Sequence, residues 1–212
     1  MGAILCLAML TKEQLNIFSV FKKDIFAGLT FKQIKLQSRQ KSNNIVQIAL
    51  KEFQKQEIVK TKEIGDVTTY SLNINNNLTL SYLNLINESE IKKSRIPKNA
   101  LEDIQNRIFK RTELFILIIF GSYAKSEATK KSDLDIAVIV ESERTKKEIA
   151  PFLETIKRRE VIPIDYHTFT RSEFLEMLKA DFENVGKQIF KSSIIYYGYI
   201  QYCNLIKERK SE

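Results

Sequence analysis

Seven consecutive apolar residues, Leu114-Phe-Ile-Leu-Ile-Ile-Phe120, stop abruptly at the pair Gly121-Ser122. The run is far too short to cross a membrane, for which about 18 residues are needed. A short apolar run bounded by turn residues reads as a strand buried on both faces, and such a strand needs helices above and below it. A second apolar run follows, Leu134-Asp-Ile-Ala-Val-Ile-Val140, and then a third, Val161-Ile-Pro-Ile-Asp-Tyr166, with charged helical stretches between them. Pro163 has no N–H to donate, which predicts an edge position for the third strand. Residues 171 to 210 read as helical. The expectation for this half is a mixed sheet with flanking helices, entered through a helix that begins at Pro97 and ends near Arg111.

The ends of these strands carry the chemistry. Gly121 lets the backbone turn sharply and a ligand approach closely. The N–H groups of the turn beginning at Gly121 and the Ser122 hydroxyl predict a seat for a phosphate, with Lys125 one turn further on. Ten residues intervene between Ser122 and Asp133-Leu134-Asp135. Residues two apart on a strand share a face, so the two carboxylates are expected to converge. Two carboxylates together with the oxygens of a triphosphate suit Mg²⁺. Asp165 lies between Ile164 and Tyr166, where an acid is expensive unless a cation or proton offsets it. If its strand lies beside that of Asp133 and Asp135, the three acids can hold two metal ions for in-line phosphoryl chemistry.

An Asp-x-Asp pair alone is ordinarily a solvated strand end, and Gly-Ser after a strand is ordinarily a turn. It is their joint spacing, with the later strand acid, that resembles the polymerase-β nucleotidyltransferase superfamily, and most nearly its minimal branch in archaea and bacteria. The resemblance spans about residues 97 to 200. It implies that Gly121, Ser122 and Lys125 bind the nucleotide, that Asp133, Asp135 and Asp165 bind metal and are catalytic, and that the cofactors are Mg²⁺ and a nucleoside triphosphate, with ATP the expected donor. Many members place a glycine after the basic residue of this loop; here Lys125 is followed by Ser126. The sequence 121 to 132 is not a P-loop, since no Gly precedes Lys130-Lys131-Ser132 at the required spacing. His167, two residues beyond Asp165, is a candidate base or a polar strand residue. Tyr196, Tyr197, Tyr199 and Tyr202 read as an aromatic cluster in the last helix, for core packing or for stacking on a base.

The first 75 residues follow another pattern. Apolar residues at Leu15, Phe18, Phe21 and Ile25 predict a helix over 11 to 26, Phe31 to Gln37 a second, and Ser42 an N-cap for a third. Two β-rich runs around Gly65-Asp66 predict a hairpin. Three helices and a hairpin resemble a winged helix-turn-helix over residues 10 to 75. Residues 31 to 62 hold eight Lys or Arg against Glu52 and Glu57, a balance of 8 − 2 = +6 within a chain whose formal charge is +8. Asn44, Gln47 and Lys51, with Gln54, are expected on the outer face of the third helix, and Lys60 and Lys62 on the wing, which together predict contacts to double-stranded DNA. A solvated face or a protein-interaction module is the competing reading.

The resulting fold class is α+β, with a winged helix-turn-helix over 1–78, a connecting helix and linker over 79–98, and a polymerase-β-like nucleotidyltransferase domain over 99–212. The first ten residues are apolar but lack the basic leader of a signal peptide, and Cys6 occupies the position where a myristoylation signal needs Ser or Thr. Met9 serves equally well as the start. Two cysteines far apart and a single histidine exclude a Cys/His zinc site. A cytoplasmic location and no membrane partner are expected, and a homodimer is compatible with the sequence. Three functions follow. The first is transfer of a nucleoside monophosphate to a hydroxyl acceptor, which in relatives of this kind is often a partner toxin. The second is a DNA-binding regulator that only senses nucleotide, and the third is tailing of RNA, for which the chain is short of acceptor-binding domains.

Overall fold

The computed structural model describes residues 9–159 and 162–209. The apolar leader with Cys6, and the start of the third strand at Val161, lie outside the described residues. The chain divides between Ile86 and Asn87 into two compact units.

The first unit opens with α1 (Lys12–Phe18), capped by Thr11, whose side chain accepts from the Gln14 N–H while the Gln14 side chain answers on the Thr11 N–H. The expected helix to residue 26 is not continuous. A 3₁₀ turn follows over Ser19–Lys23, and the Ser19 hydroxyl donates to the Asn16 carbonyl at 2.7 Å, a local bond that competes with the helical ladder. A two-residue strand β1 (Leu29–Thr30) precedes α2 (Phe31–Gln37), and Thr30 and Gln33 repeat the capping box. Next comes α3 (Asn43–Lys55), with Ser42 at the N-cap position but no side-chain cap bond. It buries Val46, Ala49, Leu50 and Phe53. The hairpin β2 (Val59–Ile64) and β3 (Val67–Leu72) completes an antiparallel sheet of order β1-β3-β2. Phe18 is fully buried and meets Phe53 edge-on at 5.3 Å between ring centroids.

The helix α4 (Asn77–Lys93) runs through the division. Within the segment 79–98, expected as a connecting helix and linker, the helix continues through the charged residues from Glu88 as far as Lys93. Their charges are solvated on the outside, while Ile91, and Ile96 beyond the helix end, enter the core of the second unit. Asn87 is buried and donates from Nδ2 to the Ile195 carbonyl at 2.7 Å.

The second unit is a four-stranded mixed sheet of order β6-β5-β4-β7. Its elements in chain order are α5 (Lys98–Phe109), β4 (Phe115–Ile119), α6 (Gly121–Ala124), β5 (Leu134–Val140), α7 (Glu143–Arg159), β6 (Ile164–Thr170), α8 (Arg171–Lys179), α9 (Val185–Lys191), β7 (Ile194–Tyr197) and α10 (Tyr199–Glu208). β4 pairs antiparallel with both β5 and β7, and β5 pairs parallel with β6 across the α7 crossover. Leu114, expected in the first strand, lies outside it and is 59% exposed. Pro163 stands immediately before β6, which is an edge strand, and its carbonyl accepts from the Leu134 N–H. On one face of the sheet, Phe115, Leu117, Ile119, Ile136 and Val138 pack with residues of α5 and α7, Leu101, Ile104, Ile149 and Leu153 among them.

The helical reading of residues 171 to 210 needs one correction. Ile194–Tyr197 forms β7, so Tyr196 and Tyr197 belong to a strand, and Tyr199 and Tyr202 to α10. A β-branched and aromatic run bounded by Ser192-Ser193 and Gly198 favours a strand. The Tyr197 ring lies 4.6 Å from that of Phe115 and 5.0 Å from that of Phe109, which is a packing role.

Candidate active site

The parallel pairing of β5 with β6 places Asp135 directly opposite Asp165. Residues opposite one another in a parallel pair project from the same face, so the two side chains are neighbours. Asp133 stands just ahead of β5 rather than within it, and is exposed. The three acids share one electrostatic environment. Burial first, and then the charges of Asp165 and Asp133, hold the Asp135 carboxyl above the usual carboxylate range, while His167 pulls it partly back.

The strand β4 brings the turn to the same place. Phe120 donates its N–H to the Asp135 carbonyl at 3.0 Å, and Gly121 follows with φ +64°. A Cβ on Gly121 would lie 1.9 Å from Oδ2 of Asp135. Both the left-handed backbone and the close approach of the carboxylate therefore require glycine. The four-residue α6 has Phe120 at its N-cap, which offers no side-chain acceptor to the first N–H groups. Ser122 lies in α6, and Lys125 is its exposed C-cap. Ser126 adopts φ +61°, so the loop keeps a left-handed turn at the position where the resemblance expects glycine.

His167 and Asp165 lie on the same face of β6, with His167 Nε2 3.8 Å from Asp165 Oδ2, and the imidazole stands between Phe120 and Phe169, stacked on the latter at 6.0 Å. Lys157 reaches Asp165 from α7, at 3.6 Å. Oxygen-only donors of this kind suit a hard divalent cation. Among the described residues no group of three or more His, Cys, Asp or Glu side chains is arranged to hold a metal ion, so the expected convergence of Asp133, Asp135 and Asp165 on one ion is not seen in this arrangement of the side chains. Asp135 and Asp165, opposite one another on paired strands, are the two acids that the sheet itself aligns.

Of the residues expected to act together, Gly121, Asp133, Asp135 and Asp165 are gathered at one end of the sheet, and Ser122 and Lys125 lie on the turn that begins there. In the first unit, Asn44, Gln47, Lys51 and Gln54 are all exposed on α3, opposite its buried side, and Lys60 and Lys62 are exposed on β2. The aromatic neighbours of His167 were not foreseen. Their signal was the spacing of His167 and Phe169 on one strand face.

Residues 102–198 match the family model described as Polymerase beta, Nucleotidyltransferase. The match supports a nucleotidyltransferase domain in the second unit. Searches of curated proteins and of solved structures found no significant match. No helix of the described residues is long and apolar enough to cross a membrane.

Proposed function

We propose that the protein transfers a nucleoside monophosphate from a nucleoside triphosphate, with ATP the preferred donor, to a hydroxyl of an acceptor. The observation that carries this reading is the in-register pair Asp135 and Asp165, closed on one side by the side-chain-free Gly121. Asp133, Asp135 and Asp165 would hold Mg²⁺, which when bound neutralises phosphate charge and lowers the pKa of the attacking hydroxyl. The chain's own groups bind and orient. The turn at Gly121 and Ser122 offers N–H groups and a hydroxyl to the phosphates, Lys125 adds charge, and Asp165 accepts the acceptor's proton. Positioning of this kind is the larger part of phosphoryl-transfer catalysis.

We read the first unit as a winged helix-turn-helix, in which α3 would be the recognition helix and the β2–β3 hairpin the wing. Its outer face presents Asn44, Gln47 and Lys51, which suit base edges and phosphates, and Lys60 and Lys62 extend the basic surface. The acceptor we favour is a partner protein encoded beside this chain, as in toxin–antitoxin pairs, with DNA binding serving control of the shared promoter. The second reading is a DNA-binding regulator whose nucleotidyltransferase domain only senses nucleotide, favoured by the exposed polar face of α3.

Incubation with Mg²⁺, each labelled triphosphate and the neighbouring gene's product separates the two. Label transfer that disappears in Asp133→Ala supports transfer. Nucleotide binding with no transfer to any acceptor supports the sensor.

A further inference from the structure

A pocket of about 490 Å³ opens beside the phosphate seat but outside the carboxylate cluster. Its walls come from two parts of the second unit: the end of α4 and the residues after it, with Lys93 and Arg95, and the loop after α6, with Ser126, Thr129 and Lys130, together with Tyr123 of α6 itself. Its size is that of a small-ligand site. No acidic side chain lines it.

Three cations converge on one concavity with no anion to balance them. Lys93, Arg95 and Lys130 are exposed, and none forms an ion pair among the described residues. Ser126, in the pocket wall, is the left-handed residue that ends α6: its N–H donates to the Tyr123 carbonyl and the Glu127 N–H to the Ser122 carbonyl, which fixes the loop that forms this wall. The same short turn that carries Gly121 and Ser122 supplies Tyr123, so a ligand here is within one element of the seat.

We propose that this pocket is a second phosphate site, which takes a polyphosphate or phosphate-ester anion through Lys93, Arg95 and Lys130. The anion has two chemical sources: the terminal phosphates of the donor triphosphate, leaving as pyrophosphate, or a phosphate carried by the acceptor. Naming those sources rests on the transfer reading; the site itself does not.

The test is calorimetric titration of inorganic pyrophosphate into the full chain in metal-free buffer, for wild type, R95E/K130E and D133N/D135N. Wild type binds, and R95E/K130E binds about tenfold or more weakly, since charge-assisted phosphate contacts are replaced by repulsion. D133N/D135N binds as well as wild type or better. Both reversed positions are exposed, and R95Q/K130Q provides a milder second variant whose affinity falls between the two. Pyrophosphate binding that is absent in wild type, or equal in wild type and R95E/K130E, overturns the proposal. Titrations with ATP and with a 5′-phosphorylated trinucleotide name the source, according to which of them R95E/K130E weakens. If label transfer fails altogether while the pyrophosphate result holds, the transfer reading falls alone.

Discussion

Asp135 is held above the usual carboxylate range by burial and by the like charges of Asp165 and Asp133. A carboxyl with a raised folded pKa costs stability once it ionises, and that cost is relieved as pH falls through the raised value. In metal-free buffer Asp135→Asn is therefore expected to melt higher than wild type at neutral pH. The difference should shrink as the pH is lowered, while label transfer is lost. A variant that melts lower at neutral pH would show that the acids do not repel one another in the folded chain. Ser126 poses the complementary question one turn away. Its left-handed backbone costs about 1–2 kcal/mol, and glycine gives back about 0.4–1 kcal/mol through the freedom of the unfolded chain. Ser126→Gly is expected to raise stability by up to about 1 kcal/mol, measured by urea denaturation. A loss of stability would mean that the serine side chain makes a contact that outweighs the strain.

Among the elements, α8 offers a direct test of how a strand is handed to a helix. Thr170 ends β6 and caps α8, with Glu173 returning a carboxylate to the Thr170 N–H at 2.7 Å and gripping Lys146 of α7 at 2.6 Å. The Lys146 hydrogen bond first, and then that from the Thr170 backbone, hold the Glu173 carboxyl below its ordinary range. A lowered folded pKa gives stability that is present above the unfolded value and lost as pH falls through the folded one. Because the pair is partly exposed, Glu173→Gln should cost about 0.5–1 kcal/mol at neutral pH. The two proteins should converge in strongly acid solution when unfolding is followed by circular dichroism. Much at this level was readable beforehand. The spacing of Phe31 to Gln37, the Gly65-Asp66 hairpin and the edge position announced by Pro163 are local, and local chemistry decides them. Strand direction is not local: the apolar runs of β4 and β5 look alike whichever way they pair, and their antiparallel register is visible only in three dimensions. β7 was overlooked for a different reason, since Ile194–Tyr197 is also apolar at helical spacing when Tyr199 and Tyr202 are counted with it. The pocket at Lys93 and Arg95 was hidden because a charged stretch reads as solvated linker when its partner loop lies elsewhere in the chain.

For the molecule as a whole, the two proposed activities use different side chains, and they should separate. Lys51→Ala is expected to weaken a shift of the chain's own promoter DNA and to flatten its salt dependence by about one unit of log slope. Label transfer should be unchanged in the same protein. Asp133→Ala should do the opposite. A Lys51→Ala protein that binds DNA with the wild-type salt slope would move the role of the first unit from nucleic acid to protein. The overall charge of +8 is compatible with either, which is why the distribution of charge over α3 and β2 carries the prediction and the total does not.

The crossover that joins β5 to β6 leaves one further mark on how such a chain can change. Because Asp135 and Asp165 are aligned by hydrogen bonding between their strands, the distance between them is indifferent to how many residues the connecting segment contains. Descendants of this gene can gain or lose length between Glu141 and Pro163 and still present the same pair of acids, whereas a single-residue insertion inside either strand turns one of them to the wrong side.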